Sequence, residues 1–378
     1  MKIYPTDKIR NVLLFGHQST GKTSLAEAIC FASGALTRQG TIEDGNTICD
    51  FEPVEIKKQI SVSLSMVPIE WEDHKINLLD SPGYLDFAGE VRAALRVAGL
   101  AVLVVSAVDG VQVGHEILWD DARRAGIPRM VFVNKLDRER ASFSRTLEEI
   151  NSKLGTGFAP LQLPIGEEAE FRGIADVLDV KAFTYNGDAK GSEQDVPEEL
   201  SAQIDDLHLK IVESVAESDD ALLEKYLEGE ELGHKEVANG LAKGLLEGKV
   251  FPVLAGAATK LIGIDRLAHF LTEEGPSPSD RTGQVGTKPG SDEEITRQTS
   301  PEEPTSAFVF KTVTDPYVGQ ITLFKVVSGT VRPDVHLLNV NRGHQERLHQ
   351  IFTLKGKEQE TLSEVPAGDI AAVAKLAD

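Results

Sequence analysis

The 378-residue sequence has only two cysteines, Cys30 and Cys49. Two thiols in a chain this long make no disulfide framework, which points to a reducing compartment. Long apolar runs are also missing. The longest, near LAVLVV from Leu100, is far too short to cross a bilayer. The first residues, MKIYPTDKIRN, hold no apolar core and read as neither signal peptide nor anchor. Positive charge is scarce as well: 39 Lys and Arg stand against 60 Asp and Glu, for a net charge of −21. That balance argues against non-specific nucleic-acid binding over a broad surface. The expectation is a cytoplasmic protein with no membrane partner.

What is present is ordinary globular composition, 41% hydrophobic and 26% charged, at a length suited to two or three domains. The acidic charge is concentrated. Between Asp188 and Glu231 there are 15 acidic and 3 basic side chains, a net of −12 and more than half of the total. Such a stretch is either a solvated helical surface or a docking face for a basic partner.

The rhythm of the first half is strand and helix in alternation. NVLLFG (Asn11 to Gly16) reads as a buried strand, then a Gly-rich turn, then a helical pattern in TSLAEAICFASGAL. Leu36 to Lys58 is polar and irregular and reads as a long loop, which in a compact domain is usually functional or disordered. QISVSLSMVPIEW and HKINLLD form a hairpin across Glu72–Asp73. FAGEVRAALRVA is a helix, LAVLVVSAV a buried strand, HEILWDDARRAG a helix and RMVFVNK another buried strand, with a helix from Phe143 to Leu154. This pattern predicts an α/β domain with a largely parallel sheet.

The rhythm changes after Leu161. Leu200, Ile204, Leu207, Ile211 and Val215 fall on one helical face. A buried strand returns at FPVLAGAAT (Phe251 to Thr259), so about 160–250 reads as an inserted α+β subdomain within a first domain of residues 1–275. Residues 276–305 are rich in Pro, Gly, Ser and Thr and read as a linker. From 306 to 378 short strands between turns predict an all-β barrel.

Three motifs carry chemistry. GHQSTGKT spans Gly16, His17, Gln18, Ser19, Thr20, Gly21, Lys22 and Thr23 and fits the phosphate-loop pattern. Its glycines let backbone N–H groups turn around a phosphate chain, Lys22 can reach the terminal phosphates, and the Thr23 hydroxyl can hold Mg²⁺. The following helix points its positive N-terminal end at the anion. The second motif is Asp80, Ser81, Pro82, Gly83 and Tyr84, at the end of a strand. A carboxylate there can hold Mg²⁺ through water, and the Gly83 N–H can sense a γ-phosphate. The third is Asn134, Lys135, Leu136 and Asp137. The Asp137 carboxylate can accept two hydrogen bonds from guanine that adenine does not offer, and Lys135 can lay its stem along the base. Three such motifs, in this order and each at a strand's C-terminal end, point to GTP.

With these residues the chain resembles translational GTPases of the elongation factor G family, and most nearly the divergent elongation factor G-like, or elongation factor G 2, paralogues. LPIG at Leu163, ESVAESDDALLEKYLEGEEL from Glu213 and FPVLAG at Phe251 resemble that family's extra subdomain. PSPSD at Pro276 and DPYVGQITLFKVVSGTV from Asp315 resemble its domain junction and second domain. The resemblance implies GTP and Mg²⁺ as ligands, and the ribosome, through its RNA and stalk protein, as partner of a monomer. It places a guanine-contacting loop at Ala257 and Ala258 and a Mg²⁺-coordinating switch residue at Ser61, where the family has threonine. It puts the catalytic roles on Lys22 and, in place of the family histidine, Tyr84. Ser19 replaces a phosphate-loop aspartate and Ala257 a serine. A tyrosine at 84 either orients water or packs against Phe87. KLAD at the C-terminus falls short of the family's barrel end, and the family's three further domains do not follow, so the sequence reads as an N-terminal fragment. The step implied is translocation or recycling. The alternatives are a switch with little or no hydrolysis, or a ribosome-protection factor.

Overall fold

A computed structural model describes residues 2–217, 220–315 and 318–376. In chain order its first elements are β1 (Ile9–Phe15), α1 (Lys22–Ala32), α2 (Pro53–Lys58), β2 (Ser65–Trp71), β3 (His74–Asp80), α3 (Ala88–Leu95), β4 (Leu100–Ser106), α4 (Val113–Arg124), β5 (Arg129–Asn134), α5 (Phe143–Leu154) and β6 (Phe158–Pro160). The insert holds β7 (Gln162–Ile165), β8 (Gly173–Asp176), β9 (Lys181–Thr184), β10 (Ser192–Gln194), α6 (Glu198–Ala216), α7 (Asp220–Leu227) and α8 (His234–Leu246). β11 (Phe251–Ala255) and α9 (Ile264–Glu273) complete the domain.

The main sheet runs β2-β3-β1-β4-β5-β11-β6. Every pairing is parallel except the β2–β3 hairpin. β1, β3, β4, β5 and β11 are buried along their whole length, as strands covered on both faces must be. The hairpin turns where the sequence suggests. Glu72 and Asp73 have φ of 44° and 57°, the pair of left-handed residues that a tight two-residue turn needs.

The stretch 36–58 is mostly irregular but ends in α2. Pro53 sits in its first turn, and Glu55 reaches back to accept from the Glu52 N–H at 3.1 Å. In the insert, strands β10-β9-β8-β7 form a separate antiparallel sheet. On α6, Ile204, Ile211 and Val215 are buried while Asp205, Asp206 and Glu213 face solvent. Ser218 and Asp219 of the acidic run lie outside the described residues.

Residues 276–305 carry more than a linker, since β12 (Gln284–Thr287) and β13 (Glu294–Arg297) pair as an antiparallel ribbon. The β-rich domain follows with β14 (Ser306–Asp315), β15 (Gly319–Ser328), β16 (Thr330–Val331), β17 (Val335–Asn339), β18 (His344–Leu348), β19 (Ile351–Lys355), β20 (Glu358–Thr361), β21 (Val365–Pro366) and β22 (Ile370–Ala374). Pro316 and Tyr317, within the DPYVGQ motif, and Ala377 and Asp378 of KLAD lie outside the described residues. Its five-stranded sheet runs β14-β15-β22-β19-β20, with β16–β21 and β17–β18 as two small ribbons. Phe324, Val326, Val331, Ile351 and Val365 fill its core.

Polar contacts lock this domain onto the first. Lys75 of β3 donates to both Asp369 oxygens at 2.9 and 2.7 Å. The Lys311 Nζ reaches Ser63 Oγ and Glu90 Oε2 at 2.5 Å and Leu64 O at 2.9 Å. The Lys355 Nζ donates to Ala35 O at 2.6 Å, and the Gly356 N–H to Met66 O at 3.1 Å. Both ends of the irregular 36–64 stretch are therefore held by side chains or backbone of the β-rich domain.

Candidate functional site

The C-terminal ends of β1, β3 and β5, and the loop after β11, meet along one edge of the main sheet. Ligands of open α/β sheets settle at that edge. After β1 the chain turns through Gly16–Gly21 and enters α1. Gly21 has φ 88°, and a Cβ there would stand 2.5 Å from Asn134 Nδ2, so only glycine fits. The Asn134 Nδ2 donates to Thr20 O at 3.0 Å, and its Oδ1 accepts from the Ala258 N–H at 3.0 Å. One asparagine thus ties the first turn, the end of β5 and the loop after β11 together. The Lys135 Nζ adds a 2.6 Å bond to Ser19 O.

Lys22 is buried, and its Nζ donates to His17 O at 2.9 Å. Burial pushes its pKa down to about 8. The Thr23 hydroxyl donates to Asp80 Oδ2 at 2.7 Å and lies 3.1 Å from Ser61 Oγ. Asp80 is 2% exposed and its Oδ1 has no partner among the described residues. Burial, reinforced by the nearby Asp50 carboxylate, pushes Asp80 up to about 7. Behind Asp80, the Ser81 hydroxyl donates to Leu14 O at 2.7 Å, and Pro82 is buried, which fixes the turn. Gly83 packs without room for a side chain: a Cβ would stand 2.5 Å from Lys22 Nζ and 2.7 Å from Gln18 Cα. Tyr84 is half-buried beyond it, and among the described residues it has neither a side-chain hydrogen bond nor a ring contact with Phe87.

At the other end, Leu136 is buried and Asp137 presents an Oδ1 that is buried and without a hydrogen-bond partner among the described residues. Its Oδ2 lies 3.7 Å from Arg138 Nε. A buried carboxylate oxygen left without a donor is costly unless something supplies one. Ala257 and Ala258, both buried, close this side.

The residues singled out in the sequence are therefore brought together. Others were missed. Asp50 is buried, and burial raises its carboxyl, with Ser61 and Lys22 nearby opposing the rise. Glu27 of α1 accepts from the Gly40 and Ile48 N–H groups, both at 2.8 Å. Glu55 accepts from Val62 at 3.0 Å and Ser63 at 3.2 Å. Glu27 and Glu55, both buried, thus organise an irregular stretch, and only their presence within a polar run or on an otherwise apolar helix hinted at it.

A Mg²⁺ ion fits this arrangement. Among the described residues no cluster of three or more His, Cys, Asp or Glu side chains is set for a metal. Mg²⁺, however, is commonly held by one or two carboxylates together with substrate phosphates and water. The unpartnered Asp80 Oδ1 beside the Thr23 and Ser61 hydroxyls is a donor set of that kind.

Two family models match. The elongation factor Tu GTP binding domain covers residues 7–277, and elongation factor G domain 2 covers residues 304–378. A crystal structure of a protein from Thermus thermophilus is similar over 98% of this chain, at 34% identity and a TM-score of 0.87. That match covers 52% of the Thermus chain, so the present chain spans about half of its length. Among the described residues no helix is long and apolar enough to cross a membrane.

Proposed function

This chain belongs to the family of the elongation factor Tu GTP binding domain, and from that premise we propose that it binds GTP with Mg²⁺ and acts as a ribosome-associated translational GTPase resembling elongation factor G. The observation that carries the reading is the Thr23–Asp80–Ser61 cluster next to Lys22, with an orphaned Asp137 oxygen at the far end of the same edge. One end offers hydroxyls, a carboxylate and an ammonium for phosphates. The other offers a carboxylate for the two donors of guanine. On this reading Gly16–Thr23 and Asp80–Tyr84 enclose the phosphates, Asn134–Asp137 with Ala257 and Ala258 enclose the base, and the protein works in the cytoplasm as a monomer.

Bound Mg²⁺ would neutralise phosphate charge, held by Thr23, Ser61 and Asp80. The protein's own part is positioning. Lys22 is drawn from His17 O to phosphate oxygens, and Ser61 brings the 36–64 stretch into the site. Because Lys311, Lys355 and Gly356 hold both ends of that stretch, its ordering is felt by the β-rich domain. The acidic, solvent-facing side of α6 suits contact with a basic ribosomal surface such as the stalk region.

Tyr84 supports a second reading, a switch that hydrolyses GTP slowly. A phenol supplies no imidazole near the phosphate, and Ser19 supplies no carboxylate for a monovalent cation. GTP turnover by the full chain with and without ribosomes tests both. Turnover stimulated by ribosomes supports the GTPase, tight GTP binding without turnover supports the switch, and failure to bind GTP removes both.

A further inference from the structure

Gln18 lies against the residue that precedes Tyr84. Its backbone N and Cα are 2.8 and 2.7 Å from the point where a Gly83 Cβ would stand, and Lys22 Nζ is 2.5 Å from that same point. The Gln18 backbone therefore stands beside Lys22 and Gly83, the residue before Tyr84. Three of the other polar side chains of this turn are engaged. Thr20 Oγ1 donates to His17 O at 3.0 Å, Lys22 to the same oxygen, and Thr23 to Asp80. The Gln18 amide is half-buried and has no partner among the described residues. His17, the imidazole of the turn, faces elsewhere. Its ring lies 5.9 Å from that of His115, and its Nδ1 is packed against Gly114.

We propose that the Gln18 side-chain amide is the water-orienting group of GTP hydrolysis in this protein, placed on the phosphate loop beside Tyr84. The proposal rests on the GTPase reading above and deepens it. A primary amide can accept a hydrogen bond from water through Oε1 while Nε2 donates to a γ-phosphoryl oxygen. With the amide held at both ends, the water is aligned without a side chain that must change protonation. The water oxygen forms the new bond to the γ-phosphorus, and the bond to the β–γ bridging oxygen breaks with its electron pair left on GDP. The water proton leaves through phosphate to solvent, giving GDP and inorganic phosphate.

The test uses the full chain with saturating ribosomes and compares the parent with Gln18→Met and Gln18→Ala. GTP and GDP affinity, single-turnover hydrolysis, and affinity for GDP with tetrafluoroaluminate are measured. The expected result is hydrolysis slower on the order of 100-fold in both variants, weaker tetrafluoroaluminate binding, and GTP and GDP affinities that fall far less than the hydrolysis rate. Methionine keeps the bulk and loses the amide. If Gln18→Met hydrolyses like the parent, the amide has no role and the proposal is overturned. Faster hydrolysis by Gln18→Ala than by the parent overturns it as well, since Gln18 would then only obstruct. A parent that binds GTP and never hydrolyses it overturns the GTPase reading itself, and this proposal with it.

Discussion

Lys75 and Asp369 form an ion pair 2.7 Å long, with side chains 2% and 5% exposed, across the junction of the two domains. Asp369 Oδ1 also accepts from Asn77 Nδ2 and from the Ile370 N–H, both at 2.8 Å. Asn77 in turn bonds Asn11 Oδ1 at 2.8 Å, and Asn11 Nδ2 returns to Gly368 O at 2.8 Å. Removing one member strands a buried charge. Asp369→Ala is expected to destabilise the protein by about 3–5 kcal/mol. A urea titration followed by a probe in each domain measures this, and the two domains should lose their common transition. An unchanged midpoint would mean the junction is not held here.

Lys325 makes a pH prediction with an unusual sign. Its Nζ donates to Val97 O at 2.9 Å, and burial, with Arg281 nearby, pushes its pKa from 10.5 down to about 8. Between those values the folded state binds fewer protons than the unfolded state, so stability rises as pH climbs through that window. The rise due to Lys325 is about 1–3 kcal/mol. Burial also lowers Lys22 and Lys311, so the quantity to read is the difference between parent and Lys325→Met. Urea midpoints at about pH 7.5 and about pH 9.5 should diverge for the parent more than for the variant. Parallel behaviour would show that Lys325 does not titrate in this range.

Glu27 predicts local mobility. One carboxylate accepts two backbone N–H groups, from Gly40 and Ile48, in a stretch with few other anchors. Glu27→Ala should cost about 1–3 kcal/mol. Hydrogen exchange of the Gly40 and Ile48 amides should quicken, while β1 and β4 stay protected. Uniform acceleration across the sheet would instead indicate global destabilisation.

The 36–64 stretch should also respond to the nucleotide. Ser61 lies 3.1 Å from Thr23 Oγ1, so a γ-phosphate and Mg²⁺ that recruit both hydroxyls would hold it. Exchange from Thr37 to Lys58 is expected to be slower with a GTP analogue than with GDP. Equal rates in the two states would remove the switch.

The turn after β1 and the ends of β3 and β5 were legible because their sequence signals are local. Gly21, Lys22 and Thr23 must be consecutive for one turn to surround an anion, and Asp80 and Asn134 each end an apolar strand that announces itself. The helix face of Ile204, Ile211 and Val215 was legible for the same reason, a short period in the sequence. Lys75 and Asp369 were not, since they are separated by 294 positions along the chain and meet only through the fold. Glu27 and Glu55 look like ordinary surface acids until the backbone amides they serve are in place. The β12–β13 ribbon was hidden because both strands are polar and largely exposed, and neither buries an alternating face. The short helix α2 was readable in principle from Pro53 and Glu55, but the polar run around it gave no apolar period to extend.

If the edge formed by β1, β3 and β5 takes a guanine nucleotide, as proposed, Asp137 selects the base. The measurement is displacement of a fluorescent guanine nucleotide by GTP, GDP, ATP and xanthosine triphosphate, for the parent and for Asp137→Asn. GTP and GDP are expected to outcompete ATP on the order of 10⁴-fold. In the variant, preference should pass to the xanthine nucleotide, whose edge complements an amide. Equal displacement by ATP and GTP in the parent would rule out a guanine-selective site.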